Sequence, residues 1–390
     1  MRHKNVTLFF EYFTQEHLGK DPFLVPYYLG KALGYSVTIL YPQIDVNQDM
    51  PSEIRGVKMI GLPLYGDKAS SFRKRYSSFY KYIWDNAKHI DILMRFFDIY
   101  QTREVSILYK FRNPRGRYYI KMDVDPMNMS AQTCVGSSFL RKVLVLMLDC
   151  LSKNCVDVIS CETAMAYEKL MLSQSRWNRW GRKLVLMPNG FDEETFKELN
   201  IIDKSFSEKE NVIITVGRLG TPPKNTSMLL KALETIDLKD WKFFLIGPIE
   251  DGFKTFIDNF FYSYPEKKNN VFFTGAIYDK KSLWEYYNRA KVFVFTSEWE
   301  SFGLVLVEAK RFHNNILTTP VGAAYDILKN GKYGDLLINN DDKDLAEKLQ
   351  KIISGKTNID VYKDFDPMLL SYERLVKIVA ERLDISDSRA

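Results

Sequence analysis

The stretch KVFVFTSEWESFGLVLVEAK, Lys291–Lys310, decides how this chain folds. A β-branched and aromatic run, Val292–Phe295, meets a short polar turn, and a second apolar segment begins just after Gly303. That order reads as strand, turn, helix. Two carboxylates flank the turn with seven residues between them, Glu300 before it and Glu308 inside the second segment. Glu308 stands among Val305, Leu306, Val307 and Ala309, where an ionised group is costly without a partner.

The same alternation runs along the whole chain. In the first half VTLFFEYF, SVTILYP, DILMRFF, YYIKMDV, VDVISC and KLVLMP read as strands, with helical stretches near 22–33, 72–88, 103–111, 137–152 and 163–172. In the second half NVIITVG, KFFLIG, NVFFTG, KVFVFTS, NNILTTP and DLLI alternate with helices near 225–236, 252–263, 280–289, 303–312, 323–329 and 342–353. Strands alternating with helices of this length make parallel sheets covered on both faces. With 390 residues, one core is too few, so the expectation is α/β with two doubly wound, Rossmann-like domains. The joint falls in Met187–Asn211, which opens on Pro-Asn-Gly and then turns charged. This divides the chain into 1–190, 191–365 and a terminal apolar helix in 366–390.

Composition narrows the class. Hydrophobic content of 46% with 27% charged residues is that of a folded globular protein. No apolar run approaches the ~20 residues of a bilayer span; VLVLML, Val143–Leu148, is the longest near the middle. The basic, then apolar N-terminus is interrupted by Glu11 and reads as a first strand rather than a signal peptide, so a cytoplasmic location is expected. Cys134, Cys150, Cys155 and Cys161 match no zinc spacing and read as reduced, packed thiols. Residues 1–190 hold 27 Lys and Arg against 17 Asp and Glu, a balance of +10, while the remainder holds 28 against 32. A basic first half points to an anionic partner.

In open α/β sheets ligands bind beyond the carboxyl ends of the strands, so the strand-to-helix turns carry the chemistry. In FTQEHLGKDPFLVP, Gly19 allows a tight turn, and Asp21 and Pro22 suit the start of a helix whose N-terminus can hold a phosphate. In VGRLGTPPKN, Arg218 and Lys224 put two cations on one proline-stiffened loop, the ingredients of a diphosphate clamp. Two basic loop residues are by themselves more often solvated surface. In the opening stretch, Glu300 can accept from sugar hydroxyls. Glu308 lies about 8 Å further along the helix at 1.5 Å per residue, so the two carboxylates serve different parts of one elongated ligand. Two cations and two carboxylates together describe a site for a nucleotide-sugar.

These stretches, with TTPVGAAYDILKNGKYGDLL at 318–337, resemble the second domain of retaining glycosyltransferases of the GT-B fold, family four. The resemblance lies in an E-x7-E pair, Glu300 and Glu308, and an upstream Arg-x5-Lys pair, Arg218 and Lys224. VLMPNGFD resembles the family's interdomain connection. The likeness is strong over about 185–340 and weak over 1–185. It implies two domains facing an interdomain cleft, the first on the acceptor side, the second on the donor side, and a last helix crossing back. It implies that Arg218 and Lys224 neutralise the leaving diphosphate, that Glu308 holds ribose hydroxyls, and that Glu300 lies by the donor sugar. The backbone of Phe302, Gly303 and Leu304 would also contact the donor, with Gly19 near its phosphates.

Two departures stand out. Many members have two glycines in the first loop, whereas Gly19 is followed by Lys20. Many have a histidine near the reacting carbon, but His3, His17, His89 and His313 follow no mid-domain strand, which leaves Arg95, Lys121 and Asp123 as the polar candidates. Asp123-Val-Asp125 also fits the Asp-x-Asp metal motif of the other large glycosyltransferase architecture. A loop residue or acceptor contact is the better reading of Asp123, because the second domain fits GT-B. The tracts SFRKRYSSFYKYIW (71–84) and SRWNRWGRK (175–183) mix cations with aromatics, as an anionic membrane surface requires, although a solvated helix face gives the same pattern.

The expectation is a retaining hexosyl- or N-acetylhexosaminyl-transferase of polysaccharide or glycoconjugate synthesis. It would use a nucleotide-sugar, UDP-sugars first, and a glycan or lipid-linked acceptor. No metal, no other cofactor and no nucleic acid are expected, and the site of action is the cytoplasm or the inner face of the plasma membrane. The competing readings are a GT-B epimerase or disaccharide phosphorylase, a non-enzymatic scaffold, and a basic membrane- or nucleic-acid-binding module.

Overall fold

The computed structural model describes residues 3–125, 139–172, 180–338 and 341–384. Cys134 and the 175–179 part of the second basic tract lie outside them. The chain divides into two compact units, Met1–Asp192 with Tyr372–Ala390, and Glu193–Ser371.

Among the described residues the first unit holds eight strands: β1 (Asn5–Phe9), β2 (Ser36–Pro42), β3 (Glu53–Ile54), β4 (Val57–Leu62), β5 (Ile92–Phe96), β6 (Arg117–Lys121), β7 (Val158–Cys161) and β8 (Leu184–Leu186). Their order is β3-β4-β2-β1-β5-β6-β7-β8. Every pairing is parallel except β3 with β4. Strands β1 and β5 are buried at nearly every position because helices cover both faces of the sheet. One face packs Val6, Leu8, Ile39, Met94 and Tyr119 against the helix Asp21–Leu33 and the terminal residues Tyr372, Val376, Val379 and Leu383. The other packs Phe9, Leu93, Tyr118 and Ile120 against helices at Ser77–Asn86 and Tyr100–Arg112, through Phe79, Ile83, Val105 and Tyr109.

Two differences from the sequence reading concern this unit. Strands β3 and β4 were not anticipated: β3 is only two residues long, and in β4 Val57 and Met59 are buried and Lys58 is not, a weak alternation in a short run containing Gly61 and followed by Pro63. The terminal apolar segment is not one helix. It breaks into Pro367–Leu370, Tyr372–Leu375 and Lys377–Leu383.

The second unit holds six parallel strands: β9 (Glu210–Val216), β10 (Lys242–Ile246), β11 (Val271–Gly275), β12 (Ala290–Phe295), β13 (Asn315–Thr318) and β14 (Gly334–Leu336). Their order is β11-β10-β9-β12-β13-β14. The order reverses between β9 and β12, and crossover loops leave opposite ways there, opening a crevice at the carboxyl edge. Both loops with the strongest chemical signals follow these two neighbouring strands, paired Val292 to Ile213 and Phe293 to Ile214.

Close backbone approach fixes that edge. Gly217 donates its amide to Ile246 at 3.0 Å. Gly247, at φ +140°, would place a Cβ 1.8 Å from the Gly217 carbonyl oxygen. No side chain fits, and L-residues avoid that backbone region. Gly247→Ala is therefore expected to lower the unfolding free energy by at least ~2 kcal/mol, read by urea denaturation. An unchanged midpoint would show that the edge tolerates rearrangement.

Candidate functional site

The loop after β9 carries Arg218 and Lys224. Leu219 donates its amide to Pro248 at 2.8 Å and accepts from Glu250 at 3.0 Å, so the loop is stitched to the one after β10. Thr221 caps the turn by donating its hydroxyl to the Arg218 carbonyl at 2.9 Å. A single helical turn, Pro222–Lys224, then leads through left-handed Asn225 into the helix Thr226–Thr235.

The loop after β12 is zipped onto it. Glu298 donates its amide to the Pro223 carbonyl at 2.9 Å, and the Thr296 hydroxyl donates to the Lys224 carbonyl at 2.9 Å. Side chains complete the join: the Lys224 ammonium is ion-paired with Glu300 and lies 5.1 Å from the Phe295 ring centroid. Arg218 is exposed, and its guanidinium has no hydrogen-bond or ion-pair partner among the described residues.

Gly303, at φ +87°, turns the chain into the helix Leu304–Arg311. The left-handed turn needs glycine and leaves the amides of Phe302, Gly303 and Leu304 without an acceptor among the described residues. Phe302 is buried, and its carbonyl accepts from Ala323 at 2.9 Å, which anchors the turn to the chain after β13. At the far end of this helix, buried Arg311 pairs with Glu193 and Asp203 and fixes the helix to the leading segment of the unit.

Glu308 has the partner its burial demands. Lys280 reaches its carboxylate at 2.7 Å and the Trp284 indole donates to it at 3.0 Å, both from the helix Lys280–Arg289. Burial pushes this carboxyl up, but the Lys280 ammonium and the donated hydrogen bonds outweigh it, so Glu308 lies below its ordinary value. Lys280 and Trp284 were missed in the sequence. The one available signal was Asp279, whose carboxylate caps that helix by accepting from the Ser282 amide.

Four of the sequence candidates, Arg218, Lys224, Glu300 and Glu308, thus occupy two adjoining loops and the helix that follows the second. Lys224 and Glu300 touch each other, whereas Glu308 is held by another helix. Together they present an exposed guanidinium, three open amides and a charged pair on one rim.

Gly19 and Asp123 belong to the first unit. Gly19 is exposed, and a Cβ there would meet nothing within 4 Å. Its backbone is not left-handed, so no tight geometry requires glycine. Asp21 is not the helix cap, a position Lys20 takes. Its carboxylate pairs instead with buried Lys121 at 3.0 Å. Lys121 also contacts Glu162, which accepts from Asn189 at 2.9 Å. These four residues come from turns beyond β1, β7 and β8 and from the last position of β6. Arg95 is fully buried too, bonded to Glu11 at 3.1 Å and lying 3.8 Å from the Phe9 ring centroid. Of the three polar candidates in this unit only Asp123 is partly open.

Residues 196–366 match the family model described as glycosyl transferases group 1. The capsular polysaccharide biosynthesis glycosyltransferase CapM of Staphylococcus aureus is 26% identical over 206 residues, 52% of this chain and 53% of CapM. The amylovoran biosynthesis glycosyltransferase AmsD of Erwinia amylovora is 30% identical over 114 residues, 29% of this chain and 30% of AmsD. The chain thus spans about half the length of CapM and less of AmsD. The crystal structure of Anabaena HepE with UDP and glucose superposes with a TM-score of 0.64 at 15% identity, covering 98% of this chain and 99% of HepE. The fold is GT-B, with a parallel-sheet α/β domain in each unit.

Burial raises the Glu162 carboxyl to about 8, although Lys121 opposes the shift. Between the ordinary carboxylate range and about 8 the folded chain keeps this proton and the unfolded chain releases it. Stability therefore falls as pH rises through that window. Glu162→Gln should remove this contribution, up to ~1.4 kcal/mol per pH unit, which urea titrations at about pH 5 and about pH 8 would reveal. Parallel pH profiles for wild type and variant would contradict it.

Proposed function

Because residues 196–366 match the model of the group 1 glycosyl transferases, we propose that the protein moves a sugar from a nucleotide diphosphate, with retention of configuration, to a hydroxyl of a growing surface polysaccharide or lipid-linked glycan. One observation carries this reading: the loops after β9 and β12 join Arg218, Lys224, Glu300 and three open amides on one rim. An extended anion with a hydroxylated group at each end fits that array.

In this proposal the Arg218 guanidinium and the amides of Phe302, Gly303 and Leu304 receive the diphosphate, with Lys224 as a point charge beside it. Glu300, held by Lys224 and within 3.4 Å of the Ser297 hydroxyl, faces the donor sugar as an acceptor. Glu308 stays ionised beside Lys280 and Trp284 and accepts from the ribose hydroxyls. The bond from the anomeric carbon to the phosphate oxygen breaks, and the bond to the acceptor oxygen forms on the same face. The acceptor's proton passes to the departing diphosphate. Placement and charge stabilisation then do most of the catalysis, and no strong protein base is needed. Gly19 near the phosphates and Asp123 as an acceptor contact complete the proposal.

A uridine nucleotide is the first choice of donor, because HepE was crystallised with UDP and glucose. CapM and AmsD, named for capsular polysaccharide and amylovoran biosynthesis, support a polysaccharide product. Hexose and N-acetylhexosamine are the donor sugars to try first, and the cytoplasmic face of the membrane is the proposed place of action.

A thermal-shift panel of nucleotide-sugars tests the reading directly, since a ligand that binds only the folded chain raises Tm with its affinity. Arg218→Ala should cut turnover by ~10²–10³ with little change in Tm, because the guanidinium is exposed and unpartnered. Lys224→Ala should cut turnover similarly and also lower Tm, because it strands Glu300. Near-normal turnover in both variants would overturn the assignment.

A further inference from the structure

Beside the helix Lys280–Arg289 lies a cavity of about 700 Å³, the size of a small-molecule site. All its lining residues belong to the second unit, from stretches 200–204 and 277–289. The first stretch is tied to the helix by Asn288, whose side chain donates to the Ile202 carbonyl at 2.7 Å and accepts from the Lys204 amide at 3.0 Å. Three cations, Lys204, Lys281 and Arg289, line the cavity against one carboxylate, Glu285.

Arg289 stands in the last turn of its helix, where a cation ordinarily serves the terminal carbonyls. Other residues serve them here. Lys209 donates to the carbonyls of Asn288 and Ala290 at 2.8 and 2.9 Å, and Asn314 donates to those of Tyr287 and Ala290 at 2.9 and 2.6 Å. Glu285 precedes Arg289 by four residues, the spacing at which the two would pair along a helix. They are not paired, and neither side chain has a hydrogen-bond or ion-pair partner among the described residues. The guanidinium lies instead 4.7 Å from the Phe244 ring centroid and 4.4 Å from that of Tyr286. Rings place its carbon atom but accept none of its N–H groups, and Nε is buried without an acceptor. A guanidinium so placed, with its donors unmatched, suits an oxyanion.

We propose that this cavity binds a phosphate monoester of a small sugar or polyol. Arg289 takes the phosphate together with Lys204, whose ion pair with Glu210 is stretched to 4.0 Å. Two cations match the near-double charge of a phosphate monoester better than the single charge of a carboxylate. The phosphate alone fills a small part of the cavity, so an organic body belongs to the ligand. Glu285 and the Tyr286 hydroxyl can accept from hydroxyls of that body, and Glu285 repels the phosphate, which sets the orientation. The cavity shares no residue with the rim of Arg218, Lys224 and Glu300, so the inference does not rest on the donor reading.

Thermal shifts of the full chain with glucose 6-phosphate, inorganic phosphate and glucose, each against sodium chloride of equal ionic strength, test it. Glucose 6-phosphate is expected to raise Tm most, inorganic phosphate less and glucose not at all. Arg289→Gln and Lys204→Ser should each weaken binding of glucose 6-phosphate at least ~10-fold. The Lys204 side chain is 40% exposed, so its variant reads the site even where Arg289→Gln disturbs the rings. Arg218→Ala should bind the ester as the wild type does. The proposal is overturned if neither phosphate shifts Tm beyond chloride, if glucose or inorganic phosphate binds as tightly as the ester, or if the Arg289 and Lys204 variants bind like the wild type. It is likewise overturned if Arg218→Ala abolishes binding, since the phosphate would then sit at the donor rim. Ester binding by a protein that takes no nucleotide-sugar would refute the proposed reaction and leave this cavity standing.

Discussion

The site depends on the direct pairing of β9 with β12. Parallel neighbours release their loops at the same edge, and a change of strand order at that point leaves a gap between the departing helices. Here the gap is closed on one side by backbone contact between Gly217 and Gly247, which admits no side chain. With the floor so close, the loop after β9 has little freedom, and Arg218 and Lys224 emerge at fixed places. The Glu298 amide and the Thr296 hydroxyl then bind the second loop to the first. The ion pair between Lys224 and Glu300 lies above this backbone joint.

The two units handle charge differently. In the second, the Arg218 guanidinium and the turn amides remain open, and these groups are free to meet an anion. In the first, the charged residues at the carboxyl edge turn inward: Lys121 meets Asp21 and Glu162, and Arg95 meets Glu11 and the face of Phe9, while Arg95 Nε and Nη1 and one Glu162 carboxyl oxygen have no hydrogen-bond partner among the described residues. Desolvated ions with internal partners fix the turns that carry them. The ion pair with Asp21 gives Lys121 a positioning part, holding the start of the helix Asp21–Leu33.

The fold was legible because periodicity alone separates strand from helix over runs this regular. The Lys291–Lys310 stretch could be read as strand, turn and helix from its apolar spacing and Gly303. Strand β4 escaped because two buried residues in a short run make too faint an alternation. Within the site, Arg218, Lys224, Glu300 and Glu308 were visible as charged residues beside apolar strands. Lys280 and Trp284 were not, because nothing local to residues 280–284 tells that Glu308 needs them. Asp21 looked like a cap for the same reason: the residue that claims its carboxylate lies a hundred positions away.

By itself the sequence determined two sets of parallel strands, the loops that hold charge, and a buried carboxylate in want of a partner. These are local properties, set by side-chain period, turn chemistry and the cost of desolvation. Only the tertiary structure decided which strands are neighbours, and hence that Lys224 meets Glu300, that Glu308 is claimed by Lys280 and Trp284, and that Arg218 is left open. Such pairings depend on strand order and helix placement, and neither is encoded in the few residues around each charge.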